Sequence, residues 1–197
     1  MSVDPETLIV YGAKAAEYAD MTQGEAENRF LSIFIEALPK GARVLDLGCG
    51  PGHSAAAMAH AGLSVDATDA APEMVAMAQA HEGVTAWHAS FDEITGEALY
   101  DGIWANFALL HAPKADMPRH LAALARALKP GGRFHIGMKT GTGEKRDTIG
   151  RRYAYYTEPE LRSLLEDAGL TPGKSWAGQE RGLDGVIAPW VVIHADA

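Results

Sequence analysis

Apolar residues are spaced along this chain in two alternating patterns, one typical of buried strands and one typical of helices. Short apolar runs predict strands over Arg43–Leu47, Ser64–Thr68, Val84–His88, Tyr100–Asn106 and Arg133–Met138. Apolar residues at helical spacing predict helices over 53–61, 72–81 and 116–128. Strands that alternate with helices form a mainly parallel sheet with helices on both faces. The pattern therefore predicts an α/β fold built on a doubly wound sheet.

Both ends of the chain depart from this alternation. Two helices are predicted before the first strand, over 5–19 and 24–37. A further helix begins near Pro159 and ends before Gly169, a residue suited to the left-handed conformation that terminates helices. Two more strands are predicted over 174–179 and 190–194. No helical segment separates them, and a parallel connection needs one, so they are predicted to pair as an antiparallel hairpin.

Composition narrows the class of protein. The 197 residues suit one domain, with 47% hydrophobic and 22% charged residues. The formal net charge of −9, from 17 Lys and Arg against 26 Asp and Glu, makes nucleic acid an unsuitable partner. Cys49 is the only cysteine, which fits a reducing compartment. No apolar run has the length of a membrane span or signal peptide, so we expect a cytoplasmic protein without membrane contact.

The segment Val44–Ser54 is the most informative part of the chain, because it reads as a strand, a glycine-rich turn and a helix start. Glycine lets a ligand approach the main chain, and a helix N-terminus attracts polar ligand groups. A nucleotide-like cofactor is therefore expected at this turn. The dinucleotide fingerprint needs a small residue where His53 stands, so cofactors of hydride transfer fit poorly.

The pattern Asp46-x-Gly48-x-Gly50-x-Gly52 resembles motif I of the class I S-adenosylmethionine-dependent methyltransferases, and Leu128–Phe134 is similar to that family's turn before strand five. The resemblance implies a Rossmann-like, doubly wound, seven-stranded sheet, mainly parallel, with a C-terminal antiparallel hairpin strand and helices on both faces. It also implies S-adenosylmethionine as cofactor and S-adenosylhomocysteine as product. The expected single domain, 1–197, divides into a helical cap (1–40), a cofactor-binding core (41–140), a candidate lid (141–156) and a C-terminal helix and hairpin (157–197).

The same resemblance implies a set of cofactor-binding residues. They are Tyr11, Tyr18, Asp46, Gly48, Cys49, Gly50, Asp69, Ala70, Ser90, Phe91 and Asn106. Within this set Asp69 binds the ribose hydroxyls, Ser90 and Phe91 lie beside the adenine, and Asp46 acts indirectly by ordering the turn. Three alternatives stay open: Asp69 as the cap of the next helix, Phe91 as ordinary core, and an N-terminal helix that packs without touching the cofactor.

Candidate acceptor-binding residues lie in the loops that face the cofactor. They are His53, Arg146, Arg151, Arg152 and Tyr153 for binding, with His111 and Asn106 as candidate catalytic residues and no metal. The segment 139–156 is rich in glycine, arginine and tyrosine and resembles a lid whose arginines hold a carboxylate or phosphate. The alternatives are a solvated loop whose arginines pair with surface acids, and a packed or solvated His111 in place of a general base.

The expected function is methyl transfer to a small-molecule acceptor, acidic or aromatic, by in-line displacement. The atom that is methylated and the need for a general base stay open, as does the choice between a monomer and a homodimer. A catalytically silent module that binds S-adenosylmethionine or a partner is the first alternative. An NAD(P)-dependent oxidoreductase is the second, disfavoured by His53 and by the C-terminal hairpin.

Overall fold

The structure, a computed structural model, describes residues 3–197 except for the side chains of residues 25 and 26. The first two residues of the predicted helical cap lie outside the described residues. The helices are α1 (Pro5–Ala13), α2 (Ala15–Met21), α3 (Arg29–Glu36), α4 (His53–His60), α5 (Pro72–Ala78), α6 (Met117–Ala127) and α7 (Glu158–Asp167). The strands are β1 (Arg43–Leu47), β2 (Ser64–Asp69), β3 (Val84–His88), β4 (Tyr100–Asn106), β5 (Leu128–Lys139), β6 (Glu144–Arg146), β7 (Arg152–Ala154), β8 (Thr171–Arg181) and β9 (Ile187–Asp196).

Seven of these strands form one sheet in the order β3-β2-β1-β4-β5-β9-β8. Neighbours from β3 to β5 are parallel, whereas β9 runs antiparallel to both β5 and β8. This arrangement confirms the predicted sheet and its C-terminal hairpin. The winding direction reverses between β1 and β4, and in open parallel sheets ligands bind beyond the carboxyl ends of the strands at such a point.

Apolar side chains are buried on both faces of the sheet. One face packs against α6 and α7, through residues such as Leu121 and Leu161. The other face packs against α3, α4 and α5, through residues such as Phe34, Met58 and Val75. These two cores hold the sheet rigid and leave its carboxyl-end edge available for a site. Within residues 3–197 no helix has both the length and the apolar character needed to cross a bilayer.

The N-terminal helices differ from the prediction. The helix expected over 5–19 is interrupted at Lys14, which lies outside helical geometry at φ −112° and ψ 19°. The helix expected over 24–37 is a 3₁₀ turn over Gln23–Glu27 followed by α3. The break occurs because the side chain of Asn28 accepts a hydrogen bond from Phe30 N (2.8 Å) and caps α3. Periodicity detected the helical character of the segment but not its two capping residues.

Candidate active site

Two adjoining cavities lie at the carboxyl ends of β1, β2, β4 and β5. The first is here called the cleft and the second the side cavity, and both are open to solvent, with about 700 Å³ and about 730 Å³ of empty space when that solvent is included. The cleft is lined by Val3, Asp4, Thr7, Leu8, Tyr11, Tyr18, Gly48, Gly50, Asp69, Ala70, Met74, Ala89, Phe91, Asn106, Phe107, Ala108 and His111. The side cavity is lined by Tyr11, Tyr18, Met21, Thr22, Gly24, Phe107, Leu110, Lys139, Arg151, Tyr153, Glu180, Arg181, Gly182 and Leu183. Tyr11, Tyr18 and Phe107 separate the two.

The turn after β1 forms the floor of the cleft, and its glycines leave space there because they have no side chains. Gly48 and Gly50 have φ values of 67° and 52°, in the left-handed region that favours glycine. A Cβ on Gly48 would collide with the Cβ of Ala108, and a Cβ on Gly50 would lie 3.3 Å from the Tyr18 ring. The amide of Gly50 is not free, since it donates to Asp69 Oδ2 (2.9 Å). Gly50 therefore holds Asp69 in place and leaves space for a ligand, and its role in binding a cofactor stays a prediction.

Asp69 ends β2 and points its carboxylate into the cleft. Oδ2 accepts from Gly50 N and Oδ1 accepts from Ala71 N (2.8 Å), which fixes the orientation of the group. Helix α5 receives no side-chain cap, so the alternative of Asp69 as its cap is not realised. Burial raises the pKa of this carboxyl above its ordinary value. Each oxygen keeps a lone pair for a further donor, such as a ligand hydroxyl.

The end of the cleft beyond β3 is lined by Ala70, Met74, Ala89 and Phe91. Ser90 does not line it, which corrects the expectation for this residue. Its N–H and Oγ both donate to the Glu93 carboxylate at 2.8 Å and cap a 3₁₀ turn. The Ser-x-x-Glu spacing of a capping box was present in the sequence.

Asn106 ends β4 and is held by a buried pair of histidines. His135 Nε2 lies 3.1 Å from Asn106 Oδ1, and His194 Nε2 lies 3.0 Å from His135 Nδ1. His194 Nδ1 is buried and has no hydrogen-bond partner among the described residues. An unprotonated ring nitrogen costs less free energy to bury without a partner than an N–H does, so we assign the proton of each ring to Nε2. His194 then donates to His135, and His135 donates to Asn106. This direction leaves the amide N–H₂ of Asn106 to face the cleft.

Burial keeps this pair of histidines neutral, because it lowers the pKa of His194 to about 4 and that of His135 well below its ordinary value. Gly137 pairs with Asn106 in the sheet, and a Cβ there would lie 2.6 Å from Asn106 Oδ1. Sequence reasoning selected Asn106 but missed the residues that orient it. Adjacent strands bring them together, and a single sequence carries no signal of that register.

His111 belongs to a fixed hydrogen-bond chain. Its Nδ1 lies 2.7 Å from the carbonyl oxygen of Arg152, so Nδ1 carries the proton and Nε2 accepts from the Tyr11 hydroxyl (2.8 Å). Burial lowers the pKa of His111 to about 4. A proton from a ligand reaches this imidazole only through Tyr11. His111 therefore remains a candidate base, with Tyr11 as the intervening group.

Arg151 is buried in the wall of the side cavity and is already paired. Its Nε donates to Asp147 Oδ2 (2.8 Å) and its Nη1 to the Tyr11 hydroxyl (2.9 Å). The guanidinium also lies 5.2 Å from the ring centres of both Tyr11 and Tyr153. Tyr153 is buried and lines the same cavity. The structure thus places Arg151 and Tyr153 in the lining of the side cavity, but the hydrogen bonds of Arg151 go to Asp147 and Tyr11 within the protein.

Three predicted acceptor-binding residues lie outside both cavity linings and are corrected. Arg146 donates to both carboxylate oxygens of Asp4 at 2.8 Å, and Arg152 pairs with Glu144 at 2.9 Å. These pairs match the alternative in which loop arginines bind surface acids. The imidazole of His53 lies 3.0 Å from the carbonyl oxygen of Ala19 and joins α4 to α2.

Two predicted cofactor-binding residues lie beneath the cleft. Cys49 is buried in the core, where burial raises the pKa of its thiol well above the ordinary value. It packs and does not line the cavity. Asp46 is buried on β1 and is also absent from the lining, so its indirect role in ordering the turn stays a prediction.

The candidate lid forms a hairpin of β6 and β7 that lies against α1. Arg152 N donates to Thr7 Oγ1 (2.9 Å), and the Arg146–Asp4 pair joins the same two elements. The hairpin and α1 together cover the cavities. Opening and closing of this cover stays a prediction.

Several residues of the site were missed by sequence reasoning. Phe107 has φ 52°, a strained value for a side chain of this size, and lies between the two cavities. It directly follows Asn106, so the rule that places sites at strand ends extends to it. Lys139 ends β5 and falls under the same rule. Glu180 and Leu183 come from the end of β8, where the sequence gives no comparable signal.

Residues 44–132 match a family model described as a methyltransferase domain. The ubiquinone biosynthesis O-methyltransferase of Xanthomonas axonopodis pv. citri (strain 306) is 37% identical over 154 residues, 67% of this chain and 64% of that protein. The corresponding enzyme of Xanthomonas campestris pv. campestris (strain B100) is 39% identical over 113 residues, 54% of this chain and 46% of that protein. The chain thus spans about half to two thirds of the length of these curated relatives.

Solved structures extend the similarity over most of the chain. The crystal structure of Burkholderia thailandensis 1,6-didemethyltoxoflavin-N1-methyltransferase, with bound 1,6-didemethyltoxoflavin and S-adenosylhomocysteine, is 29% identical with a TM-score of 0.79. The alignment covers 97% of this chain and 87% of that one. A methyltransferase structure from Methanosarcina mazei, 18% identical with a TM-score of 0.74, covers 86% of this chain and 97% of that one and shows the fold alone.

Proposed function

Because the chain belongs to the class I S-adenosylmethionine-dependent methyltransferases, we propose that it transfers the methyl group of S-adenosylmethionine to a small-molecule acceptor. One observation carries the proposal. A carboxylate fixed at the end of β2 faces a cleft whose floor is a turn with no room for side chains. This combination suits a ligand with adjacent hydroxyl groups and an extended chain that lies close to the protein backbone.

The residues of the cleft fit the proposed cofactor. Asp69 accepts hydrogen bonds from the ribose hydroxyls, and such bonds to a charged group are about twice as strong as neutral ones. Phe91 and Ala70 border the adenine end, while Gly48 and Gly50 leave space for the methionine end. Tyr11 and Tyr18 cover the cleft from the N-terminal helices.

The proposed cofactor, when bound, supplies an activated methyl group on a positively charged sulfur. The protein's part is to align the acceptor and to exclude water. Correct alignment of the reacting atoms lowers a barrier by as much as roughly 7–11 kcal/mol. Phe107, Tyr11 and Tyr18 form the wall between the two cavities. At the end of β4, the side-chain amide of Asn106 can donate a hydrogen bond to a ligand in the cleft.

The side cavity is the proposed acceptor site. It adjoins the cleft at Tyr11, Tyr18 and Phe107, so a ligand there lies next to one in the cleft. Where an acceptor carries a proton, the Tyr11 hydroxyl accepts it and passes its own proton to His111 Nε2. The relatives act in ubiquinone biosynthesis and on 1,6-didemethyltoxoflavin, which supports an acceptor of small-molecule size.

Calorimetry and a transfer assay test the proposal together. We expect saturable binding of S-adenosylmethionine and S-adenosylhomocysteine, and transfer of a labelled methyl group into a fraction of small metabolites. Binding without transfer to any acceptor in that pool would indicate the silent module. Saturable binding of NAD(P)H without binding of either sulfur ligand would indicate an oxidoreductase.

A further inference from the structure

We propose that Lys139 selects the ionised form of the acceptor, and that the side cavity binds a flat aromatic or heteroaromatic acid as a singly charged anion. The inference rests on the proposed function and adds the chemical class of the acceptor. It follows from a cation without a counter-ion, a set of aromatic walls and the weakness of the nearby base.

Lys139 places an unpaired ammonium group in the side cavity. Its Nζ lies 4.3 Å from the centre of the Tyr153 ring, and a Cβ on Gly182 would lie 3.3 Å from it. Among residues 3–197, apart from the side chains of residues 25 and 26, no carboxylate lies within ion-pair distance of this ammonium. A half-buried cation over a ring, without a described acid at ion-pair distance, favours a ligand anion beside it, because buried charges are normally paired.

The charged groups around Lys139 do not replace such an anion. Asp184 and Glu180 favour the ammonium from a greater distance, and Asp184 Oδ1 already accepts from Val186 N (3.1 Å). Arg151 is paired with Asp147. Burial lowers the pKa of Lys139 because it removes water from the charged ammonium. A ligand anion at this position would stabilise the charged form again. Arg181 also lines the side cavity, where its Nη1 donates to the Gly185 carbonyl oxygen (2.7 Å), and Glu180 contributes a carboxylate to the same lining. Two cations, Lys139 and Arg181, therefore stand against one acid, and this excess of one positive charge favours a monoanion over a phosphate ester.

The walls of the side cavity fit a flat ring. Tyr18, Phe107 and Tyr153 supply aromatic faces and edges, and Leu110 and Leu183 supply apolar surface. Aromatic pairs prefer offset or edge-to-face contacts with ring centres 4.5–7 Å apart, and they contribute roughly 0.5–1.5 kcal/mol beyond the area that they bury. A negatively charged aromatic ring can make both the aromatic contacts with these walls and the charge contact with Lys139.

An acceptor bound as an anion also removes the need for a strong base. His111 is a weak base, because its Nε2 is occupied by the Tyr11 hydroxyl and burial lowers its pKa to about 4. The ionised oxygen or nitrogen donates its electron pair to the methyl carbon while the carbon–sulfur bond breaks. One negative and one positive charge are neutralised, and no proton is transferred in that step.

The probe is 4-nitrophenol, whose visible absorbance reports its ionisation, compared with the neutral 4-nitroanisole. Affinities are measured on the protein saturated with S-adenosylhomocysteine, at a pH where free 4-nitrophenol is ionised. We expect the wild type to prefer the nitrophenolate by about 10- to 100-fold, the size of a hydrogen bond between charged groups, and to lower the pKa of bound 4-nitrophenol. Lys139→Met should abolish both effects, and Lys139→Arg should restore them.

Lys145→Met is the matched control. Lys145 lies on β6 with its Nζ 4.9 Å from the centre of the Tyr155 ring, but it is exposed and lines neither cavity. It should keep the full preference, and all variants should keep their affinity for S-adenosylhomocysteine. A wild type that binds both probes equally, or a preference that survives in Lys139→Met, overturns the inference. Absence of S-adenosylhomocysteine binding in the wild type would instead overturn the proposed function.

Discussion

The cleft and the side cavity share a wall, but they are built in different ways. Strand ends and backbone geometry form the cleft, through the turn after β1, the end of β2 and the end of β4. Side chains from the N-terminal helices line both cavities, and the side cavity is completed by side chains from the end of β5, from β7 and from the end of β8. The first construction tolerates few substitutions at its glycines. The second allows the size and charge of the cavity to change while the sheet stays the same.

This difference separates two tasks within one fold. A cofactor is the same molecule in every turnover, so a rigid backbone surface suits it. An acceptor site must be specific for one compound among many, and side chains supply that specificity. The proposed roles of Asp69 in the cleft and Lys139 in the side cavity follow this division.

Gly48→Ala should have the largest effect, because it tests whether backbone geometry shapes the cleft. The new Cβ would collide with Ala108, and φ 67° disfavours any residue but glycine. We expect a loss of about 2–5 kcal/mol in the free energy of unfolding, from overpacking of about 1–3 kcal/mol and a backbone cost of about 1–2 kcal/mol. Urea denaturation measures it.

Gly41→Ala is the control for this substitution. Gly41 has φ 74° but no atom within 4 Å of the Cβ position, so only the backbone cost of about 1–2 kcal/mol applies. Equal losses in the two variants would show that the cleft floor is not closely packed.

The cleft could be predicted from sequence to a greater extent than the side cavity. Gly48, Gly50, Asp69 and Phe91 were selected from a local pattern and from their position at strand ends, and all of them line the cleft. Local spacing predicts which residues line the cleft, because each of them lies at or shortly after the end of a strand.

The side cavity depends on pairs distant in sequence, such as Tyr11 with Arg151. Three arginines were expected to bind an acceptor, yet two are paired with acids that do not line the side cavity, Asp4 and Glu144, and the third is paired with Asp147. A single sequence shows that charges are present but not which acid each will reach. The seven-stranded sheet was predictable because its pattern is repeated along the chain, whereas helix breaks at Lys14 and Asn28 depend on single residues.

Asp69→Ala comes next in expected effect and tests the one charged group proposed to bind the cofactor. Loss of its hydrogen bonds to ribose should weaken binding of S-adenosylhomocysteine by about 1.5–3 kcal/mol, the usual contribution of hydrogen bonds to a charged group. Asp66→Ala, on the same strand, removes the ion pair with Arg43 and should leave that affinity unchanged. Unchanged affinity in Asp69→Ala, measured by calorimetry, would exclude the ribose role.

The same carboxylate predicts a pH dependence. Burial raises the pKa of Asp69, and ligand hydroxyls donate more strongly to its ionised form than to its protonated form. Affinity should therefore be constant above that pKa and fall by up to tenfold per pH unit below it. Asp69→Asn should bind more weakly but without this dependence. A wild-type profile that stays flat through the acid range would contradict the assignment.

Tyr11→Phe should have a smaller effect and tests the wall shared by both cavities. The variant leaves Arg151 Nη1 and His111 Nε2 without the Tyr11 hydroxyl, at a cost of about 1–3 kcal/mol in the free energy of unfolding. Tyr155→Phe is the control: Lys114 donates to the backbone oxygen of Tyr155, and among the described residues no hydrogen bond involves its hydroxyl, so the effect should lie within about 0.5 kcal/mol. If the two variants unfold alike, the wall does not depend on this network.

Asp4 should give the smallest effect and tests how α1 is joined to the hairpin of β6 and β7. Its carboxylate caps α1 by accepting from Thr7 N (3.0 Å) and also binds Arg146. Asp4→Ala loses both contacts and should cost about 1 kcal/mol in unfolding free energy, mainly through the cap. Asp4→Asn keeps an oxygen for the cap and should cost less, because solvent screens the exposed Arg146.

The pH profile separates the two contacts of Asp4. The hydrogen bonds from Arg146 lower the pKa of Asp4 below its ordinary value, so ionised Asp4 stabilises the folded protein. The advantage of the wild type over Asp4→Asn should be fully present above the unfolded carboxyl pKa of about 3.9 and should shrink as the pH falls below it. Denaturation at several pH values measures this advantage. An advantage that does not change with pH would mean that the cap alone holds α1 in place, and that the hairpin and α1 are not joined by charge.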